Sequence, residues 1–194
     1  MKKLTLEDKI VNGIERLSDA LKALLWQKAK AYGISPIQIQ ILLFVSKHKT
    51  DICNVSYIAR EFNVTKATIS DAVKVLLKKG LLEKDFSPTD NRRYNLLITE
   101  EGKDLVLHLT DYTTPLSDGL SAFSTDDKTH FFDMLSKFIY QLNQKDVIQV
   151  QRTCFNCKYY SGNKQGDHYC NLLGTVLKKQ EVRLDCDEFE EEVV

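Results

Sequence analysis

The sequence predicts a mainly α-helical fold with one small β-wing, a compact core flanked by long helices, and a short cysteine-rich segment at its end. Three observations carry this. Apolar residues recur at helical spacing near both ends of the core, over 6–32 and 125–145. Between Asn54 and Gly102, two short helical stretches precede two strand-like runs and a new helix start. Four of the five cysteines fall between Cys154 and Cys186, in a segment too short to bury a sufficient core alone.

The first helix is expected over Leu6–Tyr32. Its stripe of Ile10, Ile14, Leu17, Leu21 and Leu24 alternates spacings of four and three, close to a heptad seam. That is more apolar surface than a small core needs, so packing against a second copy is expected. Gly33 suits a C-cap. Ser35 and Gln38 form a capping box around Pro36, which fits the first turn of a second helix. Ile39, Leu42, Leu43 and Val45 are core candidates in that helix, and a polar turn follows at 47–51. Asn54 is placed to cap a third helix through Phe62, with Val55, Ile58 and Ala59 inward, and Cys53 is expected to be a small buried residue beside it.

Asn63-Val64 reads as a tight turn, and Thr65 as the cap of a helix over Lys66–Lys79 ended by Gly80. Ile69, Ala72, Val73 and Leu76 make its inward stripe. Strands are expected over 81–85 and 92–98, joined by the turn-rich Ser87-Pro88-Thr89-Asp90-Asn91. Thr99 then caps a helix with Glu100 and Glu101 in its first turn, where acids suit the helix dipole. That helix is expected to reach Thr113 and break near Pro115. A last helix starts at the Ser124–Asp127 cap and runs to about Lys145, with a stripe of Phe131, Phe132, Leu135, Phe138, Ile139 and Leu142.

This order is that of a winged helix-turn-helix, a module that places one helix in the DNA major groove. With its inward stripe buried, the helix at 66–79 leaves Lys66, Ala67, Thr68, Ser70, Asp71 and Lys74 toward solvent. Thr68 and Ser70 suit base edges, Ala67 a thymine methyl, Asp71 a cytosine amino group, and the two lysines phosphates or guanine. An amphipathic helix with an idle polar face would look the same. The hairpin that follows sharpens the reading, because Asp90, Arg92 and Arg93 sit at its tip, where guanidinium groups suit the negative minor groove.

Composition neither advertises nor excludes this. The chain of 194 residues has zero formal net charge, so the basic signature of many nucleic-acid binders is missing. Eleven basic residues face eight acidic ones over Lys47–Lys103, while seven acids accompany Arg183 alone over Glu181–Glu192. A mildly basic middle is therefore masked by an acidic tail. No apolar run is long enough for a membrane span, and no signal-peptide core follows Met1. A cytoplasmic location is expected.

The run Ala67-Thr68-Ile69-Ser70 through Lys84, followed by Pro88-Thr89-Asp90-Asn91-Arg92-Arg93 and Thr99-Glu100-Glu101-Gly102, resembles MarR-type winged-helix regulators. The likeness spans roughly Leu6–Asn143. It implies an obligate homodimer built by the terminal helices, a pseudo-palindromic double-stranded DNA operator, and a small-molecule or redox effector that alters the spacing of the recognition helices. Asp90 and Arg92 match the family's wing. Asn91 stands where the family usually has its first wing arginine, and Arg93 is an extra neighbour.

Cys154 and Cys157 form a C-x2-C pair, followed by Cys170 after twelve residues and Cys186 after fifteen more. Four thiolates satisfy tetrahedral zinc and equally a [4Fe–4S] cluster. The second pair is not C-x2-C, so the spacing is not that of a zinc ribbon. Free or disulfide-forming thiols are the bland reading, and His168 is a candidate replacement ligand. The segment is similar to small cysteine-rich appendages and, over about 35 residues, to iron–sulfur small subunits of some glycyl-radical enzymes.

The expected division is 1–148 for a dimerising DNA-binding domain and 149–194 for a metal-binding module. No phosphate loop, nucleophile elbow or H-E-x-x-H motif is present, so a regulator without catalysis is expected, a repressor with a metal or redox sensor. The second reading is a metal or redox protein whose winged helix docks other proteins.

Overall fold

The computed structural model describes residues 3–87, 90–162 and 167–191, with side chains left undescribed at residues 87 and 90–92. Its elements are α1 (Leu6–Tyr32), α2 (Pro36–Lys47), α3 (Val55–Glu61), α4 (Lys66–Lys78), β1 (Leu82–Ser87), β2 (Asp90–Ile98), α5 (Glu100–Leu109), α6 (Thr114–Leu120), α7 (Thr125–Asn143), β3 (Tyr160–Gly162), β4 (His168–Cys170) and β5 (Thr175–Leu177). The fold is mostly helical with a small antiparallel wing, as expected. The chain forms two compact units, Met1–Val55 with Lys66–Asp118, and Ser56–Thr65 with Gly119–Val194.

Helix α2 is the hub of the first unit. It packs against α1, α4, α5 and β2, which requires apolar residues all round, and Ile39, Ile41, Leu42, Phe44 and Val45 are buried. Its start is fixed by the expected capping box. The Gln38 backbone N–H donates to Ser35 Oγ at 3.4 Å, and the Ser35 N–H donates to Gln38 Oε1 at 2.9 Å. Helix α4 buries Ile69, Ala72, Val73 and Leu76. Burial of each large aliphatic side chain among them contributes about 1.5–3 kcal/mol. Gly80 closes α4 at φ 71°, in the left-handed region that favours glycine.

Strands β1 and β2 pair antiparallel from Leu82↔Ile98 to Phe86↔Tyr94, with the register shifting beyond Phe86. The Leu96 N–H donates to the Cys53 carbonyl at 2.7 Å, so the chain before α3 backs the wing. Cys53 is buried as expected, 1% exposed. The hydroxyl of Thr99 donates to the Gly80 carbonyl at 2.6 Å and accepts from the Gly102 N–H at 3.1 Å. One threonine therefore caps α5 and joins it to the end of α4.

Several details differ from expectation. The strands run further into the expected turn, over Leu82–Ser87 and Asp90–Ile98. The helix after Thr99 tightens into a 3-10 turn over Thr110–Thr113, and α6 then starts at Thr114. The break thus precedes Pro115, which occupies the first turn of the next helix, where its missing N–H costs nothing. Helix α7 keeps its Ser124 cap, but its apolar stripe divides. Phe132, Ile139 and Leu142 are half-buried, whereas Phe131, Leu135 and Phe138 are exposed.

Candidate nucleic-acid interface and cysteine centre

The N-terminal half of α4 presents Lys66, Ala67, Thr68 and Asp71 to solvent, with Ser70 half-buried at the edge of the inward face. Lys74, one turn later, is exposed and bonds Asp71 Oδ1 through Nζ at 2.9 Å. That bond, then the charge of Asp71, raises the Lys74 pKa, so Lys74 stays cationic. The pair is solvent-exposed, where its strength falls with salt and either partner can be given up to a phosphate or a base.

The hairpin that follows is braced toward its tip by aromatic and cationic groups. Phe86 and Tyr94 meet edge-to-face at 5.9 Å, and Lys84 Nζ lies 4.2 Å from the Tyr94 ring centroid. Arg93 is exposed on β2. The side chains of Asp90 and Arg92, the other two expected wing contacts, lie outside the described residues, as does that of Asn91.

Helix α3 belongs to the same compact unit as the cysteine segment, and Arg152 shows why. Its guanidinium is 6% exposed. It grips Glu61 of α3 bidentately, Nη1 to Oε2 at 2.8 Å and Nη2 to Oε1 at 3.0 Å, and Nη1 also donates to Tyr57 Oη at 3.1 Å. On its other side Nε donates to Asp185 Oδ1 at 2.6 Å. Burial pulls the Arg152 pKa down, but the bonds to Glu61, Asp185 and Tyr57 outweigh it and the net shift is upward. Sequence reasoning missed Arg152, because its partners are far away along the chain and no local motif marks it.

The backbone next to Arg152 is part of the cysteine centre. The Cys186 N–H donates to the Arg152 carbonyl at 3.0 Å, and the Cys154 N–H to the Arg183 carbonyl at 3.1 Å. Residues 152–158 thereby pair with 183–191, and an isolated antiparallel bridge joins Cys157 to Glu191. Strands β3, β4 and β5 form a three-stranded antiparallel sheet that carries Cys170 at the end of β4.

All four expected ligands, Cys154, Cys157, Cys170 and Cys186, line one cavity of about 420 Å³. Every one is a free thiol. Among the described residues, no group of three or more His, Cys, Asp or Glu is arranged to hold a metal ion as it stands. Burial pushes the Cys154 thiol pKa up, a bond from the Arg183 backbone N–H lowers it, and the other three cysteines raise it further. His168 faces other work: its Nδ1 bonds Tyr160 Oη at 2.5 Å, and its ring meets Phe155 edge-on at 6.2 Å.

Two further surfaces bear on assembly. On α1, Ile10, Val11, Ile14, Leu17 and Leu21 are exposed, and burial begins only at Leu25. On α7, Phe131, Met134, Leu135 and Phe138 are exposed. Among the described residues, no helix is long and apolar enough to cross a membrane.

Residues 32–93 match the model of the MarR family. The chain is 27% identical over 112 residues to the HTH-type transcriptional repressor YetL of Bacillus subtilis, covering 57% of this chain and 67% of that one. A MarR protein from Peptoclostridium difficile superposes with a TM-score of 0.63 at 22% identity, over 75% of this chain and 94% of that one. MepR of S. aureus, in a structure of its DNA complex, superposes with a TM-score of 0.59 at 23% identity, over 72% of this chain and all of that one. The fold is the MarR winged helix, and about a quarter of this chain has no counterpart in those structures.

Proposed function

We propose that this chain is a MarR-type transcriptional regulator that binds double-stranded DNA without catalysis. The observation that carries the reading is α4, which buries one apolar face and offers Lys66, Ala67, Thr68, Ser70, Asp71 and Lys74 just before a basic-tipped hairpin. In this reading those side chains read bases and phosphates in the major groove, and Asp90, Arg92 and Arg93 serve the wing. Two similar proteins support it, one named a transcriptional repressor and one solved on DNA. Repression from a pseudo-palindromic operator in the cytoplasm is the corresponding proposal.

Homodimerisation is proposed from the exposed apolar stripes of α1 and α7. The functional division is proposed at 148/149, with the segment from 149 acting as a metal or redox sensor holding zinc or a [4Fe–4S] cluster on Cys154, Cys157, Cys170 and Cys186. Arg152 supports the sensing role, since one guanidinium touches both α3 and the loop carrying Cys186. A small-molecule effector is a further proposal from the family likeness.

The DNA reading is tested by selecting genomic fragments and measuring affinity for the selected site across salt concentrations. A specific site whose affinity falls steeply with salt is expected, and Arg92→Ala should weaken it by about 1–3 kcal/mol. Binding no tighter than to random duplex would overturn the reading and leave docking to another protein as the use of the winged helix.

A further inference from the structure

We infer that Arg152 is a positioning residue for DNA reading: its guanidinium fixes the first helix of the helix-turn-helix, so the C-terminal segment holds that helix in its binding shape independently of what the thiols carry. The inference rests on the DNA-binding reading and goes beyond it. Helix α3 cannot hold itself. It spans only Val55–Glu61, and an isolated helix shorter than about 12–15 residues is marginal in water. Val55 and Ile58 are β-branched, which lowers helix propensity further. The order of α3 therefore comes from its contacts.

Arg152 supplies charge-assisted ones. Tyr57 and Glu61 stand one turn apart on one face of α3. The guanidinium bonds both, at 3.1 Å to Tyr57 Oη and at 2.8 and 3.0 Å to the two Glu61 oxygens. One planar group thus brackets a full helical turn. Ile58 and Ala59 are buried, so α3 is held on another face as well. The guanidinium is itself anchored. Its Nε donates to Asp185 Oδ1 at 2.6 Å, and the Arg152 carbonyl accepts from the Cys186 N–H at 3.0 Å. The adjoining Thr153 is fully buried and donates its hydroxyl to the Arg183 carbonyl at 3.1 Å. Lysine is a point donor without the fork and could not make this set.

Chain connectivity passes that hold to the reader. Only Phe62–Thr65 separate α3 from α4 in sequence. The link is a tight turn. Asn63 has φ 51°, in the left-handed region that asparagine tolerates, and the Val64 N–H donates to the Ala59 carbonyl at 3.0 Å. In a helix-turn-helix the first helix crosses the DNA backbone and the second enters the groove by its N-terminal residues. A loosened α3 loses its own crossing and frees the approach to Lys66. Specific affinity suffers, because it depends on docking geometry, while non-specific attraction follows charge and is spared. Arg152 is buried, so its effect runs through α3 and not through a phosphate.

The test compares the full-length parent with Arg152→Lys, which keeps the charge and loses the fork, and with Asp185→Ala, which removes one acceptor at a half-exposed site. Selected and random duplexes are titrated over a range of salt, with each chain shown to be folded by circular dichroism. Amide hydrogen exchange is followed in α3 and α2. Arg152→Lys should bind the selected site about tenfold more weakly, with the parent's salt slope and the parent's affinity for random duplex. Exchange should quicken in α3 and not in α2. Asp185→Ala should weaken specific binding about two- to fivefold, as a half-exposed ion pair allows, and it decides by the same criteria if Arg152→Lys does not fold. Specific affinity equal to the parent's overturns the inference and leaves the DNA reading standing. A salt slope reduced by about one also overturns it, since Arg152 would then be a phosphate contact. So does an equal loss on both duplexes, which marks general damage to the fold. A parent that prefers no site over random duplex sinks the DNA reading itself, and that failure shows before any substitution is made.

Discussion

Gly102 shows how one missing side chain fixes a junction. A Cβ there would lie 2.2 Å from the Leu81 carbonyl oxygen and 2.8 Å from Ile98 Cγ1. The oxygen is backbone, so no rotamer change relieves it. Alanine at a helical position gains about 1 kcal/mol over glycine in propensity, but overpacking against fixed atoms costs about 1–3 kcal/mol, and the clash wins. Gly102→Ala should therefore lower the urea midpoint, and a midpoint equal to or above the parent's would show that α5 shifts freely. In the sequence this residue is the last letter of Thr99-Glu100-Glu101-Gly102. Its necessity becomes visible only when the Leu81 carbonyl is placed beside it.

Among the elements, those with local chemistry were legible and those joined at a distance were not. The capping box at Ser35, the left-handed Gly33 and the Thr99 cap each declare themselves within four residues, so α1, α2 and α5 start or end where the sequence says. The buried stripe of α4 follows from periodicity alone. The grip of Arg152 on α3 has no such signature, because a bidentate ion pair depends on two distant segments meeting. The division of the α7 stripe was also hidden, since periodicity marks an apolar face without saying how much of it the chain itself covers. Replacing the buried cation with Arg152→Met should destabilise the unit containing α3 by about 3 kcal/mol, because Glu61 loses its partner. Adding Glu61→Gln should recover part of that loss. Denaturation curves for the single and double variants decide this, and a double variant showing the plain sum of both losses would mean the pair is not coupled.

For the whole molecule, the first fifteen or so residues of α1 are the clearest unfinished surface. A helix is expected to be amphipathic with its apolar side covered, yet here Ile10, Ile14, Leu17 and Leu21 face water. In a symmetric dimer each substitution counts twice. Leu17→Glu should shift the chain toward monomer in sedimentation equilibrium and weaken operator binding with it. A variant that stays dimeric, with operator affinity intact, would place the interface elsewhere.

The contact between Arg152 and Glu61 spans 91 residues of sequence, and that separation matters while the protein is being made. At a synthesis rate of about 5–20 residues per second, Arg152 is added roughly 5–20 s after Glu61. The α3 segment is therefore translated many seconds before the cation that grips it. A nascent chain can assemble the hub around α2 early, but the tethered form of α3 arrives only with the cysteine segment. Maturation of α3 is thus timed by a segment translated near the opposite end of the chain.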